Sequence, residues 1–284
     1  MSRDRLREAL RGVRGFVLDA DGVLILRGAP LPGSVEALRT LGERGVPFRV
    51  VTNFSSLHRE TLASRFAGGG LAIDPDRIIT ASSATAAHTA ATHAGRPLFV
   101  LAAPDARREF DGQRLLTADE ADAAPPGTVA AVVIGDAGDD LSYRNMDVAF
   151  RLVRRGAELL AMHRNAWWLT QRGETLDAGA IVVGLEFATG HPARVLGKPS
   201  PIVFRQAVAG LAADLGERLP RSSVAMVGDD LRADVAAAQR VGLRGILVLS
   251  GKTSQAEADR AMATRGRRPD GVAGTLADVV AALD

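Results

Sequence analysis

Short apolar runs alternating with Ala- and Leu-rich helical stretches constrain the fold of this chain more than any single residue does. Phe16 to Leu18 precedes a helix near Ser34 to Glu43, and Phe48 to Val51 precedes one near Leu57 to Phe66. The last third repeats the rhythm. Val195-Leu196 leads to a helix over Pro201 to Leu211, and Val224 to Val227 leads to Leu231 to Val241. Gly245 to Leu249 leads to a final pair near Thr253 to Thr264 and Thr275 to Leu283. Strand and helix in strict alternation build a parallel sheet covered by helices on both sides. The expected fold is therefore α/β, a doubly wound, Rossmann-like parallel sheet, whose functional groups collect at the carboxyl ends of its strands.

With 284 residues and 46% hydrophobic content, the chain can bury one large core or two moderate ones. The middle carries βα content of its own, at Leu98 to Leu101, Val129 to Ile134, Leu159 to Met162 and Ile181 to Ala188. Its edges fall near the Ser/Thr/Ala-rich run at Ala81 and the Gly190-His191-Pro192 turn. This predicts a domain of residues 82–190 inserted into a core domain of residues 1–81 and 191–284. A single continuous doubly wound domain is the alternative.

Composition narrows the chemistry. No apolar stretch approaches the roughly 20 residues that span a bilayer, so no membrane association is expected. The start, Met1-Ser2-Arg3-Asp4-Arg5-Leu6-Arg7-Glu8, mixes both signs of charge ahead of no apolar run; a secretion signal is not indicated, and cytoplasmic residence is the expectation. The absence of cysteine excludes disulfides and thiolate chemistry, leaving carboxylates, hydroxyls, imidazoles and lysine, with hard metals favoured. A formal charge of +2 with dispersed basic residues does not suggest nucleic acid as a partner. The clusters Arg151 to Arg155 and Arg265-Gly266-Arg267-Arg268 read as solvated surface. Only two lysines occur, Lys198 and Lys252, which makes the position of each informative.

Polar groups follow four of the apolar runs. Asp19-Ala20-Asp21-Gly22 comes directly after Phe16 to Leu18, and side chains at i and i+2 of a strand share a face, so both acids can converge on one metal or substrate atom. Thr52-Asn53 follows Val51, Gly197-Lys198-Pro199 follows Leu196, and Gly228-Asp229-Asp230 with Asp234 follows Val227. Each ending has a structural alternative: an Asp-Gly turn, a helix N-cap, a surface charge. Their joint occurrence at one edge of one sheet points instead to a site. Carboxylates can hold a hard divalent cation such as Mg²⁺, while a hydroxyl, an amide and a lysine neutralise phosphate oxygens and an aspartate attacks phosphorus.

In this order, the Asp19-Ala20-Asp21-Gly22-Val23-Leu24, Val51-Thr52-Asn53, Gly197-Lys198-Pro199 and Gly228-Asp229-Asp230 to Asp234 segments resemble the four motifs of the haloacid dehalogenase (HAD) superfamily. A large insert between the second and third is similar to the para-nitrophenylphosphatase-like branch, with its α/β C2-type cap domain. Asp136-Ala137-Gly138, Ser142 to Met146 and Gly184 to Thr189 most resemble the phospholysine phosphohistidine inorganic pyrophosphate phosphatase subgroup. The resemblance implies a Mg²⁺-dependent phosphatase acting on a small phosphorylated metabolite. It implies Asp19 as nucleophile and metal ligand, and Asp21 as proton donor and later base, with its backbone carbonyl on the metal. Thr52, Asn53 and Lys198 would bind the phosphoryl group, Lys198 also pairing with Asp19, and Asp229 would complete the metal shell. Asp230 and Asp234 would orient the metal ligands from behind. Some mammalian members of the subgroup carry Ser at the position of Asp21, so its presence favours general phosphomonoester activity.

For the leaving group, Leu176-Asp177-Ala178-Gly179-Ala180 is the candidate substrate loop, with Asp177 accepting a hydrogen bond from a hydroxylated or amino substrate. His163-Arg164-Asn165-Ala166-Trp167-Trp168 has two readings: stacking on a substrate ring, or a hydrophobic cap core or cap-mediated homodimer contact, the second being favoured. His58, His88, His93 and His191 receive no role, and Gly68-Gly69-Gly70 reads as a helix stop. The competing functions are a metal-independent dehalogenase, a phosphomutase and a non-catalytic binding module. Asp21 and Asp229 argue against the first, because carbon-halogen hydrolysis needs neither.

Overall fold

The computed structural model describes residues 3–170, 173–263 and 268–283. The chain divides into two units: Met1–Thr52, Ala63–Ile79 and Lys198–Asp284 form the first, and Asn53–Leu62 with Thr80–Gly197 form the second.

In the first unit, six parallel strands lie in the order Gly271–Ala273, Arg244–Val248, Val224–Gly228, Gly15–Leu18, Phe48–Val51 and Ile78–Ile79. Every residue of Gly15–Leu18 and Phe48–Val51 is buried, as expected for central strands covered on both faces. Helix Ser34–Glu43 turns Ser34, Ala37, Leu38 and Leu41 inward, one face of a 3.6-residue period. Helix Pro201–Leu215 buries Val203, Phe204, Ala207 and Leu211 and packs on Gly15–Leu18 and Phe48–Val51. The chain leaves Gly15–Leu18 toward the Phe48 side and leaves Val224–Gly228 toward the Arg244 side. Strand order therefore reverses between these two neighbours, and their connections part to opposite sides, the place where open α/β sheets bind ligands.

One charge breaks the apolar pattern of this core. Arg49 points from its strand into helix Pro201–Leu215, where its guanidinium bonds both carboxylate oxygens of Asp214, at 2.5 and 2.8 Å, and the carbonyl of Gly210, at 2.9 Å. A Cβ on Gly210 would stand 2.6 Å from Arg49 Nε, so the glycine gives the guanidinium its place.

The second unit has its own parallel sheet, Arg194–Val195, Glu158–Ala161, Ala131–Ile134 and Leu98–Leu101 in that order. Alternate residues face opposite cores. Phe99, Leu101, Val132, Ile134 and Leu159 pack with Val148, Leu152, Val182 and Leu185, while Val100, Val133, Leu160 and Met162 pack with Ala81, Ala86 and Phe110. An antiparallel pair, Trp167–Thr170 with Gly173–Leu176, precedes helix Ala178–Thr189.

Two features depart from the sequence expectations. The strand before Lys198 is Arg194–Val195, and it pairs with Leu160 and Ala161 in the second sheet. Lys198 therefore does not end a strand of the six-stranded sheet; it opens the loop before helix Pro201–Leu215. The helix expected near Leu57 to Phe66 runs over Arg59–Gly68, starting later because His58 and Arg59 give their amides to Asp105 and Glu109. Of the two basic clusters, Arg265 to Arg267 lie outside the described residues. No helix among the described residues is long and apolar enough to cross a membrane.

Arg49 is buried while Asp214 reaches solvent, so removing the acid strands the buried guanidinium. Asp214→Ala is expected to lower the free energy of unfolding by about 2–4 kcal/mol in urea titrations. A variant as stable as the parent would show that the pair does not hold this helix to the sheet.

Candidate active site

Asp19 emerges directly from strand Gly15–Leu18, and its amide continues the sheet ladder onto the carbonyl of Val227 at 2.9 Å. The chain then folds back tightly: the carbonyl of Ala20 accepts the amides of Leu24 and Ile25, and Gly22, with φ +73°, donates to Ile25. Left-handed backbone at that turn favours glycine. Asp19 is held in rotation by its Oδ1, which accepts the Ala20 amide at 2.7 Å and stands 2.6 Å from Lys198 Nζ.

Lys198 is buried, and its ammonium lies between two acids, 2.6 Å from Asp19 and 2.8 Å from Asp234. Burial works against its charge, but the two carboxylates outweigh burial and raise its pKa above the ordinary lysine value. Asp234 sits on the π-helical turn Leu231–Ala236 that follows Val224–Gly228, completely buried, with Oδ2 accepting the Asp230 amide at 3.1 Å. Asp229 is also buried, and its Oδ2 accepts the Lys252 amide at 2.6 Å.

Asp19, Asp229 and Asp234 present carboxylate oxygens all within 4.8 Å of one another. Three acids around one ammonium leave negative charge in excess, and the proton equilibria record it. Burial, then the neighbouring Asp234, pushes Asp19 well above the usual carboxylate range despite Lys198. Burial and Asp234 push Asp229 up to about 6, against the pull of the Lys252 amide. Asp21 reaches solvent, yet the protein around it raises its carboxyl too, with Lys198 pulling the other way. A cluster of acidic oxygens short of positive charge suits a hard divalent cation.

A loop that the motif reading passed over completes the site. Ser250 Oγ bonds the carbonyl of Gly22 at 2.6 Å, Lys252 gives its amide to Asp229, and Thr253 Oγ1 bonds the Asp229 carbonyl at 2.5 Å. Lys252 Nζ pairs with Asp230 at 2.6 Å. Asp230 itself caps the π-helical turn, with Oδ1 accepting the amides of Arg232 and Ala233. Burial alone would raise its carboxyl, but the Lys252 ammonium and these amides hold it below the usual range. Glycines make room for the acids: a Cβ on Gly22 would lie 2.2 Å from Asp229 Oδ2, one on Gly251 2.0 Å, and one on Gly228 2.3 Å from Asp234 Cβ. The signal for this loop was Lys252, the second of two lysines, following the apolar run Gly245 to Leu249.

The remaining sequence candidates fall in two places. Thr52 is buried at the end of Phe48–Val51, its amide on the carbonyl of Ile79 at 3.0 Å. Asn53 opens the second unit, with Oδ1 2.7 Å from where a Cβ on Gly197 would stand. Asp177 is the N-cap residue of helix Ala178–Thr189. Trp167 and Trp168 are 54% and 42% exposed, which removes them from any hydrophobic core.

The crowding of like charges makes a specific exchange of stability for binding. With its pKa moved from 3.8 to about 6, an ionised Asp229 costs about 3 kcal/mol at neutral pH. The native state holds the proton that the unfolded chain releases, so this penalty grows as pH rises from about 4 to about 6 and vanishes below. Asp229→Asn is expected to raise the thermal unfolding midpoint of the cation-free protein at pH 7.5 and to match the parent at pH 4. If the cluster holds a divalent cation, millimolar Mg²⁺ should raise the midpoint of the parent and leave that of Asp229→Asn unchanged. Gly251→Ala, which presses on the same carboxylate, should weaken Mg²⁺ binding in calorimetry by about tenfold or more.

Comparisons with known proteins agree with this geometry. A model described as haloacid dehalogenase-like hydrolase matches residues 16–115, and a second, HAD-hydrolase-like, matches residues 195–279. Haloacid dehalogenase-like hydrolase domain-containing protein 2 of Bos taurus is 34% identical over 250 residues, covering 88% of this chain and 89% of that protein. The phospholysine phosphohistidine inorganic pyrophosphate phosphatase of Homo sapiens is 33% identical over 249 residues, covering 86% of this chain and 85% of its own. Among solved structures, the p-nitrophenyl phosphatase from Archaeoglobus fulgidus superposes with a TM-score of 0.83 at 30% identity, covering 95% of this chain and 99% of that one. The two model matches take in both halves of the acid cluster, Asp19 on one side and Lys198, Asp229 and Asp234 on the other, and the chain belongs to the haloacid dehalogenase-like hydrolase family.

Proposed function

We propose that the protein is a Mg²⁺-dependent phosphatase that hydrolyses a small phosphomonoester through an aspartyl-phosphate on Asp19. The observation that carries the reading is the cluster of the Asp19, Asp229 and Asp234 carboxylates, two of which flank the Lys198 ammonium. Asp19, the Asp21 carbonyl and Asp229 would hold the cation, which supplies charge neutralisation for the phosphate oxygens. Asp234, fully buried and paired with Lys198, is better suited to positioning that lysine than to direct ligation.

The chain's own residues divide the remaining work. An Asp19 oxygen forms a bond to phosphorus as the bond to the leaving oxygen breaks, and Asp21 gives its proton to that oxygen. Asp21, now ionised, takes a proton from water, the water oxygen bonds phosphorus, and the Asp19–phosphorus bond breaks to release inorganic phosphate. The raised carboxyl of Asp21 supports its role as the acid, since a general acid needs its proton near the working pH. Thr52, Asn53 and Lys198 are proposed to bind the phosphoryl oxygens, and Asp177 a polar group of the leaving part. The second unit is proposed to act as a C2-type cap. Metal-independent dehalogenation leaves the raised acids at Asp21 and Asp229 without a task. Two of the relatives, the phospholysine phosphohistidine inorganic pyrophosphate phosphatase and the p-nitrophenyl phosphatase, support the phosphoryl reading.

Turnover of p-nitrophenyl phosphate with Mg²⁺ is expected, abolished by EDTA and lowered at least about 10³-fold by Asp19→Asn. Asp21→Asn should lower kcat about 10²–10⁴-fold for alkyl phosphates and less for p-nitrophenyl phosphate, whose leaving group needs no proton. Metal-independent turnover, or none across a panel of phosphate esters, would sink the reading. A homodimer through the cap belongs to the same proposal, supported by Val183 and Phe187, exposed one turn apart on Ala178–Thr189. Phe187→Glu should then shift the sedimentation coefficient to that of a monomer.

A further inference from the structure

The carboxyl edge of the second sheet grips the chain segment that follows Thr52. Ser55 Oγ accepts two hydrogen bonds there. One comes from the amide of Asp136, just beyond strand Ala131–Ile134, at 3.3 Å. The other is to His163, just beyond strand Glu158–Ala161, whose Nε2 lies 2.8 Å from Ser55 Oγ. His163 Nδ1 faces the Asn165 amide at 3.4 Å and so acts as acceptor, which leaves the Nε2 proton of the neutral ring to donate to the serine. On either side of Ser55 the same edge holds the backbone: the Ala81 amide bonds the Phe54 carbonyl, and the Gly197 amide bonds the Met162 carbonyl with Asn53 Oδ1 against Gly197. The imidazole is 2% exposed, and its Nε2 also lies 3.6 Å from Asp177 Oδ1 at the foot of the antiparallel pair.

A buried imidazole whose two ring nitrogens both have partners fixes the direction of the groups it bonds. We propose that His163 is a positioning residue for phosphate binding: through Ser55 it fixes the Asn53 side chain, and beside Asp177 it ties that setting to the antiparallel pair. This inference rests on the phosphatase reading, in which Asn53 touches the phosphoryl group. His163 touches no reacting atom. Burial keeps the ring neutral, lowering its pKa, while Asp177 and Asp136, the charged groups facing it, pull the other way without prevailing. The neutral tautomer is the one that presents a single donor to Ser55.

The position can be tested by separating shape from the donor. Leu at position 163 fills space without an N–H, whereas the amide of Gln reaches the place of Nε2. With p-nitrophenyl phosphate and Mg²⁺, His163→Leu is expected to raise KM about tenfold, the weight of one buried hydrogen bond, with kcat within about threefold of the parent. The Ki of inorganic phosphate should rise in parallel, and His163→Gln should stay within about threefold of the parent in both constants. Ser55→Ala should reproduce the His163→Leu values, and the double variant should be no worse than either single, since one hydrogen bond cannot be lost twice. If His163→Leu does not fold, Ser55→Ala and His163→Gln carry the test with the same expectations. Equal behaviour of the Leu and Gln variants, or effects of Ser55 and His163 that multiply, would overturn the proposal. A parent enzyme without activity on phosphate esters would count against the phosphatase reading itself; an active parent with unchanged variants counts against this inference alone.

Discussion

A single buried ammonium holds the acid cluster together. Lys198 Nζ stands within 2.8 Å of both Asp19 and Asp234, and without it three carboxylates would face one another in a space where water cannot screen them. The lysine stabilises the arrangement without neutralising it. That shortfall is useful: the protein carries the acids folded and in place, at a standing electrostatic cost that a divalent ion can relieve. The sheet supplies the geometry. Asp19 and Asp229 leave neighbouring parallel strands at the point where strand order reverses, so both carboxylates stand at one edge of the sheet.

Much of this was legible in the sequence because carboxylates are conspicuous directly after apolar runs. Asp19 and Asp229 announce themselves by being charged where the preceding residues are all buried, and the alternation of strands and helices places them at one edge. Lys198 stands out by the same rule, sharpened by the rarity of lysine, but the strand ahead of it belongs to the other sheet. Arg194–Val195 is only two residues long, and a run that short holds no information about which of two parallel sheets it joins. The partition of 53–62 was equally hidden, since the amides of His58 and Arg59 are bound by Asp105 and Glu109 from about 50 residues further along.

The loop Ser250 to Thr253 was missed because it works mostly through its backbone. An amide given to Asp229 and a glycine that must lack a Cβ leave little mark in residue type beyond Gly251 and the rare Lys252. Asp230, expected to orient the ligands from behind, caps the turn and pairs with Lys252, whose amide in turn bonds Asp229. His163 was hidden by its neighbours, since the segment reads as a cap core or dimer contact built on the two tryptophans, whereas the buried imidazole bonds the Ser55 hydroxyl.

The pairing of Gly15–Leu18 with Val224–Gly228 has a consequence for how the protein is made. The central strand waits for a neighbour encoded some 200 residues later, and so does Arg49 for Asp214. The second unit, by contrast, has all its strands between residues 98 and 195 and is complete when the ribosome has yet to deliver Lys198. During synthesis from the N-terminus the inserted unit can close first, leaving an apolar, half-paired sheet to be shielded until the last third arrives. A truncated product ending before Val224 would hold a folded insert on a core without its partner strand, a species prone to aggregation at its open sheet edge.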